Sequence, residues 1–482
     1  MRSPLARVVR ITGALIGAAL AIALLAQAWV GVPITFRALL LVIGVVSAVR
    51  PAMSVLVLSA TLPLAVPIST MLQAGLTTTG TGEAFVLAFL AGASLSCIRP
   101  GSAPLRLAMP VLALALLVVI SLAFEVRQWQ RQYPVRHIAA EIVTDVTGPG
   151  FFRSSPEWPE FRAGLRWLEV LAMAALVERA LRRRPEMQDV AVRIWLTGGA
   201  AAASLAALRL AEVSLRQPAP LSAAVQVLRT FRVSTMQPDL NAAGSYFALL
   251  LLPAIVIGFG RRSPWLLGCL APVILLALLM THSLAALLAT VIVTGAMIGV
   301  MLWRAGYRVG IAVAAAVGIA ILVAGWAGTR NTHAATGVAA RIRVEMGEVA
   351  LRLAWAHPVF GVGVGKFVSA SRPLISPELA TLFPPAITGE NAHNNYLQVL
   401  AELGVPGLVA FLAVLIAAVR PGAPPGHPIE RSGMFAGVTA FAVTAMLGHP
   451  LLIAEVSAAF FLALGLTAGV AGEVREPDGP AA

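Results

Sequence analysis

The side chains in this sequence that are best suited to chemistry surround one histidine. Glu390 precedes His393 by three residues, Asn394 follows it, and an apolar run begins at residue 408. An imidazole exchanges a proton near neutral pH, and an adjacent carboxylate can hold the ring in one tautomer and raise its basicity. If the segment is helical, Glu390 and His393 share one face. We therefore predict that His393 acts as a base or orients a substrate, with Glu390 and Asn394 as its neighbours.

The elements that must position this histidine are membrane helices. Of the 482 residues, 59% are hydrophobic and 12% are charged, and the mean hydropathy is +0.86. Apolar runs of about 20 residues, the length that crosses a bilayer as a helix, recur along the chain. They predict an all-α polytopic integral membrane protein with about 12–14 transmembrane helices. The predicted spans are residues 11–30, 33–49, 52–73, 83–98, 107–124, 163–181, 190–211, 242–259, 264–280, 283–303, 309–328, 397–419, 433–449 and 452–471.

The net charge of +13 comes mainly from arginines in the short connections between apolar runs. This placement follows the positive-inside rule, so it indicates membrane topology rather than nucleic-acid binding. Both termini are predicted to be cytoplasmic, with alternate connections facing outward. The two cysteines, Cys97 and Cys269, lie far apart in apolar runs. Neither a disulfide nor a metal site is indicated.

Long outward loops separate groups of transmembrane helices. The first loop contains aromatic residues, among them Trp129, that suit the membrane surface, and the last contains a predicted helix at residues 339–355. The predicted regions are N-terminal transmembrane helices at 1–124, a periplasmic loop with interfacial aromatics at 125–162, central transmembrane helices at 163–328, a large periplasmic loop carrying the candidate site at 329–395, C-terminal transmembrane helices at 396–472 and a disordered tail at 473–482.

Polar clusters lie mainly in the outward loops. Transporters instead concentrate ionisable residues in the middle of their spans, so the pattern favours a site at the outer face over a translocation path. Asp239 and Asn241 are interpreted as helix caps, and His449 with Pro450 as a turn. No partner is predicted for Lys366.

The histidine is part of a wider pattern. His393 and Asn394 are followed by nine residues and then by Gly404-Val-Pro-Gly407. This spacing resembles the signature of the bacterial O-antigen ligase and O-antigen polymerase superfamily. Further motifs that resemble this superfamily contain Arg343, Gly361, Gly363 and Arg232. One position departs from it, because Leu284 stands where the superfamily commonly has an arginine.

The resemblance implies a glycosyltransferase C-like enzyme that needs no metal or other cofactor. Members of this superfamily transfer a glycan from undecaprenyl pyrophosphate to a hydroxyl acceptor at the outer side of the bacterial inner membrane. The implied partners are this donor, lipid A-core or a growing glycan as acceptor, and membrane lipids. Arginine can bind phosphate oxygens in a bidentate fork. Within the resemblance, Arg343, Arg232 and Arg229 are therefore the candidates for binding the donor pyrophosphate.

Several functions stay open at this stage. A ligase would join the glycan to lipid A-core, whereas a polymerase would extend the glycan on its lipid carrier, and no residue in the sequence separates the two. A transporter of solutes or lipids is the competing hypothesis from another class. A structural subunit of a polysaccharide assembly complex is a further one.

Overall fold

The computed structural model describes residues 4–29, 32–72, 78–98, 105–131, 134, 136–137, 140, 159–230, 239–304, 306, 333–381, 390–420 and 428–469. Every regular element within these ranges is a helix, as predicted. The α-helices are α1 (Pro4–Trp29), α2 (Ile34–Val49), α3 (Pro51–Thr61), α4 (Ala65–Met71), α5 (Thr78–Ser96), α6 (Ala108–Gln130), α7 (Pro159–Arg182), α8 (Met187–Leu215), α9 (Pro220–Thr230), α10 (Leu240–Gly260), α11 (Ala271–Met280), α12 (Leu284–Arg304), α13 (His333–Ala356), α14 (Phe367–Ser371), α15 (Pro377–Ala380), α16 (Asn395–Val419), α17 (Pro428–Thr444) and α18 (Ala454–Gly469).

Four of these helices, α6, α8, α10 and α16, are long and apolar enough to cross a membrane individually. Shorter apolar helices accompany them, which confirms the polytopic membrane class. The predicted span at 52–73 is divided into α3 and α4, and α9 lies within a segment that was predicted as a loop. The predicted span at 309–328 and the predicted disordered tail lie outside the described residues.

Helices α10 and α18 form the centre of the bundle. Helix α10 packs against α17, and α18 packs against α7. A Cβ atom on Gly437 would lie 2.4 Å from the carbonyl oxygen of Leu249, so glycine is needed for α17 to approach α10 this closely. Small residues at helix contacts are a common means of packing in membranes, where apolar surface alone gives no preference for helix over lipid.

A buried group of charged residues joins α5 to α7. Arg162 donates to Glu83 at 3.1 Å, and the exposed fractions of these side chains are 8% and 3%. Arg166 lies 3.5 Å from the same carboxylate oxygen, and Glu169 lines an adjoining cavity of about 90 Å³. Mutual neutralisation makes these charges tolerable away from water. This pairing across helices is visible only in the structure.

A second, smaller hydrophobic core lies beside the bundle. It contains Met346 and Val349 of α13, Phe367 of α14, Leu379 of α15 and Ala392. Helix α13 packs against α16, and it is the helix predicted at 339–355, now seen to be longer. This small core fixes the segment before α16, which contains His393, against the loop helix.

The loop between α6 and α7, predicted to begin at residue 125, begins only after Gln130. Helix α6 continues to Gln130, and Trp129 on its last turn is only 8% exposed. Its ring packs near Phe161 of α7, with centroids 6.4 Å apart. Trp129 therefore belongs to the contact between helices rather than to the membrane surface. The other aromatic residues predicted for this surface lie outside the described residues.

Candidate active site

Residues 390–394 form an irregular turn, and the helical arrangement considered for Glu390 and His393 is not present. The Oδ1 atom of Asn391 accepts from the His393 amide at 2.9 Å. Asn394 is the N-cap of α16, where its side chain accepts from the amides of Tyr396 and Leu397. His393 has a φ of +48°, a conformation that is uncommon for residues other than glycine. The Asn391 and Asn394 hydrogen bonds support this backbone, so the imidazole is held at the start of the helix.

Glu390 lies near the imidazole without a direct hydrogen bond to it. Its Oε1 atom is 3.9 Å from His393 Nε2, beyond hydrogen-bonding distance. The same oxygen accepts from the backbone amide of Asn391 at 2.9 Å and from its side chain at 2.7 Å. Glu390 can therefore act on His393 through its charge, while its hydrogen bonds stabilise the turn.

A second imidazole, that of His449, packs against His393. The two ring centroids are 5.1 Å apart with an interplanar angle of 66°, an edge-to-face arrangement. His449 lies in the turn between α17 and α18, which the sequence predicts correctly as a turn without indicating what it faces. The contact joins two segments that are far apart along the chain, and no spacing pattern signals it.

Hydrogen bonds fasten the start of α16 to the segment that carries His449. The Asn395 amide donates to the Ala445 carbonyl at 2.8 Å, and Asn395 Oδ1 accepts from the Leu451 amide at 3.2 Å. The Tyr396 hydroxyl donates to the Ala442 carbonyl at 2.9 Å. These hydrogen bonds hold the two segments together and so fix the separation of the two imidazoles.

Burial and positive charge favour the neutral form of His393. The pKa of His393 is lowered to about 4; burial is the main cause, His449 and Arg343 contribute, and Asp239 opposes the shift. The pKa of His449 is also lowered, mainly by burial, with Asp239 and Glu390 opposing and Arg343 reinforcing the shift. His393 is therefore a free base across the neutral pH range, able to accept a proton or a hydrogen bond.

The lowered pKa predicts the pH dependence of folding. Unfolded His393 has a pKa near 6.5 and folded His393 one of about 4, so the unfolded chain takes up its proton first as the pH falls. Folding stability is then fully present above about pH 6.5 and decreases by about 1–3 kcal/mol towards pH 4. We expect His393→Gln to lose less stability than wild type over this interval when melting is followed in detergent. Equal losses in both proteins would contradict the shift.

Arg343 projects from α13, which packs against α16. Gly347, one turn further along α13, lies beside the Leu397 side chain of α16. Arg343 is an exposed residue, and its positive charge helps to lower the pKa of both His393 and His449. The structure therefore brings a guanidinium group and two imidazoles to the same end of the bundle.

The other two predicted pyrophosphate-binding arginines are not placed by the structure. Arg232 lies outside the described residues, and for Arg229 only the backbone is described, within α9. Asp239, nearby in sequence, is the N-cap of α10, as predicted, and its side chain accepts from the Ala242 amide at 2.7 Å. Asp239 also influences both imidazoles, so the start of α10 lies at the same end of the bundle.

The glycines of the predicted motifs allow a tight contact between two backbones. Gly361 has a φ of +63°, and a Cβ on it would lie 2.2 Å from the carbonyl carbon of Glu402. Gly404 interrupts α16 with φ +70° and ψ −172°. Gly363 has a φ of +110°, and Gly407 is buried one turn beyond the kink. The turn before α14 therefore docks on the kink of α16.

Glu402 is a residue that the sequence analysis missed. Its carboxylate accepts from the Gly365 amide at 2.9 Å, from the Phe367 amide at 3.3 Å and from the Gln398 side chain at 3.0 Å. Gln398 in turn accepts from the Ala392 amide at 3.2 Å. This buried network links the glycine turn to the segment that holds His393. The sequence feature that could have indicated Glu402 is a carboxylate between apolar residues just before the Gly-x-x-Gly motif.

The glycine at the kink of α16 predicts a stability effect. Replacement of Gly404 by alanine would place a Cβ 2.6 Å from the carbonyl group of Val359, in a backbone conformation that is almost confined to glycine. We expect Gly404→Ala to lose about 1–3 kcal/mol of stability and to melt earlier in detergent. Gly295→Ala is the control, because a Cβ at that helical position meets nothing within 4 Å. Equal melting of both variants would contradict the strain.

Lys366, for which no partner was predicted, is paired. Its ammonium group forms a salt bridge with Glu125 of α6 and donates to Gln128 at 3.1 Å. The Val364 amide also donates to Ser121 of the same helix, at 2.9 Å. These contacts anchor the glycine turn to α6 as well as to α16.

No group of three His, Cys, Asp or Glu side chains that could hold a metal ion occurs in the described part of the chain. The groups brought together are two neutral imidazoles, a guanidinium group and nearby carboxylates. They can hold an anion at Arg343 and accept a proton from a hydroxyl group at His393.

The sequence model of a family described as O-antigen ligase matches residues 247–412. The matched segment contains Arg343, the glycine turn, His393 and the Gly404 kink, and the match confirms the predicted resemblance. At the level of the family, it indicates glycan transfer of the O-antigen ligase or polymerase kind. No curated protein matches the chain.

Proposed function

Because residues 247–412 are similar to O-antigen ligases, we propose that this chain transfers a glycan from undecaprenyl pyrophosphate to lipid A-core at the periplasmic face of the bacterial inner membrane. The observation that carries the proposal is the meeting of Arg343 and a neutral His393 at one end of an apolar helix bundle. A lipid-linked substrate needs such a place, since its isoprenoid chain stays in the bilayer while its head group reaches polar side chains.

In the proposed reaction, the acceptor hydroxyl oxygen attacks the anomeric carbon of the donor. A carbon–oxygen bond forms to the acceptor, the bond between the anomeric carbon and the phosphate oxygen breaks, and undecaprenyl pyrophosphate leaves with the bonding electrons. Negative charge grows on the leaving phosphate. Arg343 would bind its oxygens in a bidentate fork and stabilise this charge without any reorganisation. Arg232 and Arg229 remain further candidates for the same contact.

The hydroxyl proton would pass to the neutral imidazole of His393. A base with a pKa near 4 is weak, but Arg343 contributes to that low value. A bound pyrophosphate would neutralise Arg343 and place negative charge beside His393, which raises the pKa of the imidazole. Donor binding would thus make His393 a better base at neutral pH. Asn394 and Glu390 would hold the turn, and Glu390 would add favourable charge for the imidazolium form.

The test is a transfer assay with purified protein in nanodiscs, using an undecaprenyl-pyrophosphate glycan as donor and lipid A-core as acceptor. A ladder of glycan on lipid A-core is the expected product. Longer glycan on the lipid carrier would instead identify a polymerase. Transport of the donor by folded protein, without formation of any new glycosidic bond, would overturn the proposal in favour of a transporter. Absence of transfer by the purified protein, restored only by other assembly proteins, would indicate a structural subunit.

A further inference from the structure

His449 packs edge-to-face on His393, yet the proposed reaction gives it no role. Its Nδ1 atom is buried and has no hydrogen-bond partner among the residues that the structure describes. This leaves Nε2 as the ring nitrogen that can meet a ligand. A buried polar atom without a partner is costly, and an unpaired N–H group is rarer in proteins than an unpaired acceptor.

The surroundings decide which nitrogen carries the proton. The charged groups that act on His449 are Asp239 at the start of α10, Glu390 before α16 and Arg343 on α13. Burial is the main cause that lowers the pKa of this ring, Asp239 and Glu390 oppose it and Arg343 reinforces it. In the neutral ring that burial favours, one nitrogen is protonated and the other is bare. A proton on Nδ1 would place an N–H group against the protein interior, where the described part of the chain offers no acceptor. The less costly arrangement has Nδ1 bare and the proton on Nε2.

We propose that His449 is a second substrate-binding residue, a neutral imidazole whose Nε2–H donates a hydrogen bond to an oxygen atom of the reacting glycan lipid, next to His393. The inference rests on the proposed transferase function and extends it. The oxygen belongs to the donor pyrophosphate or to a sugar hydroxyl of the acceptor, which present the same chemistry to an N–H donor. His393 accepts a proton in this arrangement, and His449 donates a hydrogen bond.

The turn that carries His449 is built to hold such a donor in place. Hydrogen bonds from Asn395 and Tyr396 join the start of α16 to residues 442–451. The short 3-10 helix that follows His449, Pro450–Leu452, packs against both α10 and α18. A donor fixed in this way can stabilise charge in a transition state without moving, which is the condition for a large catalytic effect.

Two substitutions distinguish hydrogen-bond donation by His449 from the packing of its ring on His393. His449→Phe keeps an aromatic ring against His393 but removes the N–H group, whereas His449→Gln loses the ring and can place an amide N–H near the position of Nε2. We expect kcat/KM for transfer to fall about 10- to 100-fold in His449→Phe and less than about 10-fold in His449→Gln. A phenylalanine variant as active as wild type, or more active than the glutamine variant, would overturn the inference and indicate packing alone.

Varying each substrate identifies the bound oxygen. A raised KM for the undecaprenyl-pyrophosphate glycan in His449→Phe would assign the contact to pyrophosphate, and a raised KM for lipid A-core would assign it to the acceptor. Failure of the proposed function is a different result, because wild type would then show no transfer at all. An active wild type with a fully active His449→Phe variant would remove only the role of His449.

The tautomer of His449 can be measured by NMR without an activity assay. Selective ¹⁵N labelling of histidine in nanodiscs, with the His449 signal assigned by its loss in His449→Gln, should show a neutral ring with its proton on Nε2 at pH 7 to 8. A proton on Nδ1, or protonation of this ring near pH 6.5, would overturn the inference whatever the outcome of the kinetic comparison. His357, an exposed residue, provides the reference signal.

Discussion

Replacement of His393 by alanine is expected to lower glycan transfer by about 10²- to 10⁴-fold while the protein remains folded. This is the range that general-base assistance contributes in enzymes. The imidazole is half-buried and neutral, and the backbone that carries it is held by Asn391 and Asn394 rather than by the ring. Removal of the ring should therefore affect the reaction more than the structure. The measurement is kcat/KM for transfer to lipid A-core, with the melting temperature as a check of folding.

The matched control for this substitution is His357→Ala. His357 follows α13 in the same region and is exposed. Its replacement by alanine removes an imidazole of the same size. We expect this variant to transfer glycan at nearly the wild-type rate. If His393→Ala retains wild-type kcat/KM, then His393 neither accepts the proton nor orients the acceptor, and the catalytic assignment fails.

The pH profile gives a second test of His393 with the same assay. In the free enzyme the imidazole loses its basic form only near pH 4, so kcat/KM should stay level from about pH 7 down to pH 5. The profile of kcat reports the donor complex, in which bound pyrophosphate raises the pKa, and its acidic limb should lie at higher pH. Coincident limbs for kcat and kcat/KM would argue against pyrophosphate binding next to His393.

Replacement of Arg343 by alanine is expected to lower kcat/KM by about 10²- to 10³-fold. This is the effect of removing one fixed donor from a site that stabilises developing negative charge. Arg343→Lys keeps the positive charge but loses the planar fork that matches two phosphate oxygens, so its activity should lie between those of wild type and Arg343→Ala. The loss should include a raised KM for the undecaprenyl-pyrophosphate glycan.

Arg352→Ala is the control for Arg343. Both arginines lie on α13, but Arg352 projects from the opposite face of the helix and forms an exposed ion pair with Glu348. Exposed pairs of this kind contribute little to stability. Similar losses of transfer in the two variants would show that α13 tolerates no loss of charge, and would remove the specific role of Arg343 in binding pyrophosphate.

Local sequence features determined the class of this protein and the segment that contains the candidate site. The helical membrane architecture follows from apolar runs of bilayer length, a property that each helix has independently of its neighbours. The spacing of His393, Asn394 and the Gly-x-x-Gly motif also lies within one segment, and Asp239 was recognisable as a helix cap. These features depend on residues close together in the chain, so the sequence alone carries them.

The tertiary structure decided which distant residues surround the histidine. The contact of His449 with His393, the hydrogen bonds of Glu402 to the glycine turn and the pairing of Arg162 with Glu83 each join separate elements of the fold. Apolar periodicity specifies that a helix is buried but not which neighbour it meets, and buried polar groups pair according to that choice. The charge state of His393 likewise depends on burial and on charges from other elements. For this reason its chemistry, unlike its position in the motif, was fixed only by the packing of the whole bundle.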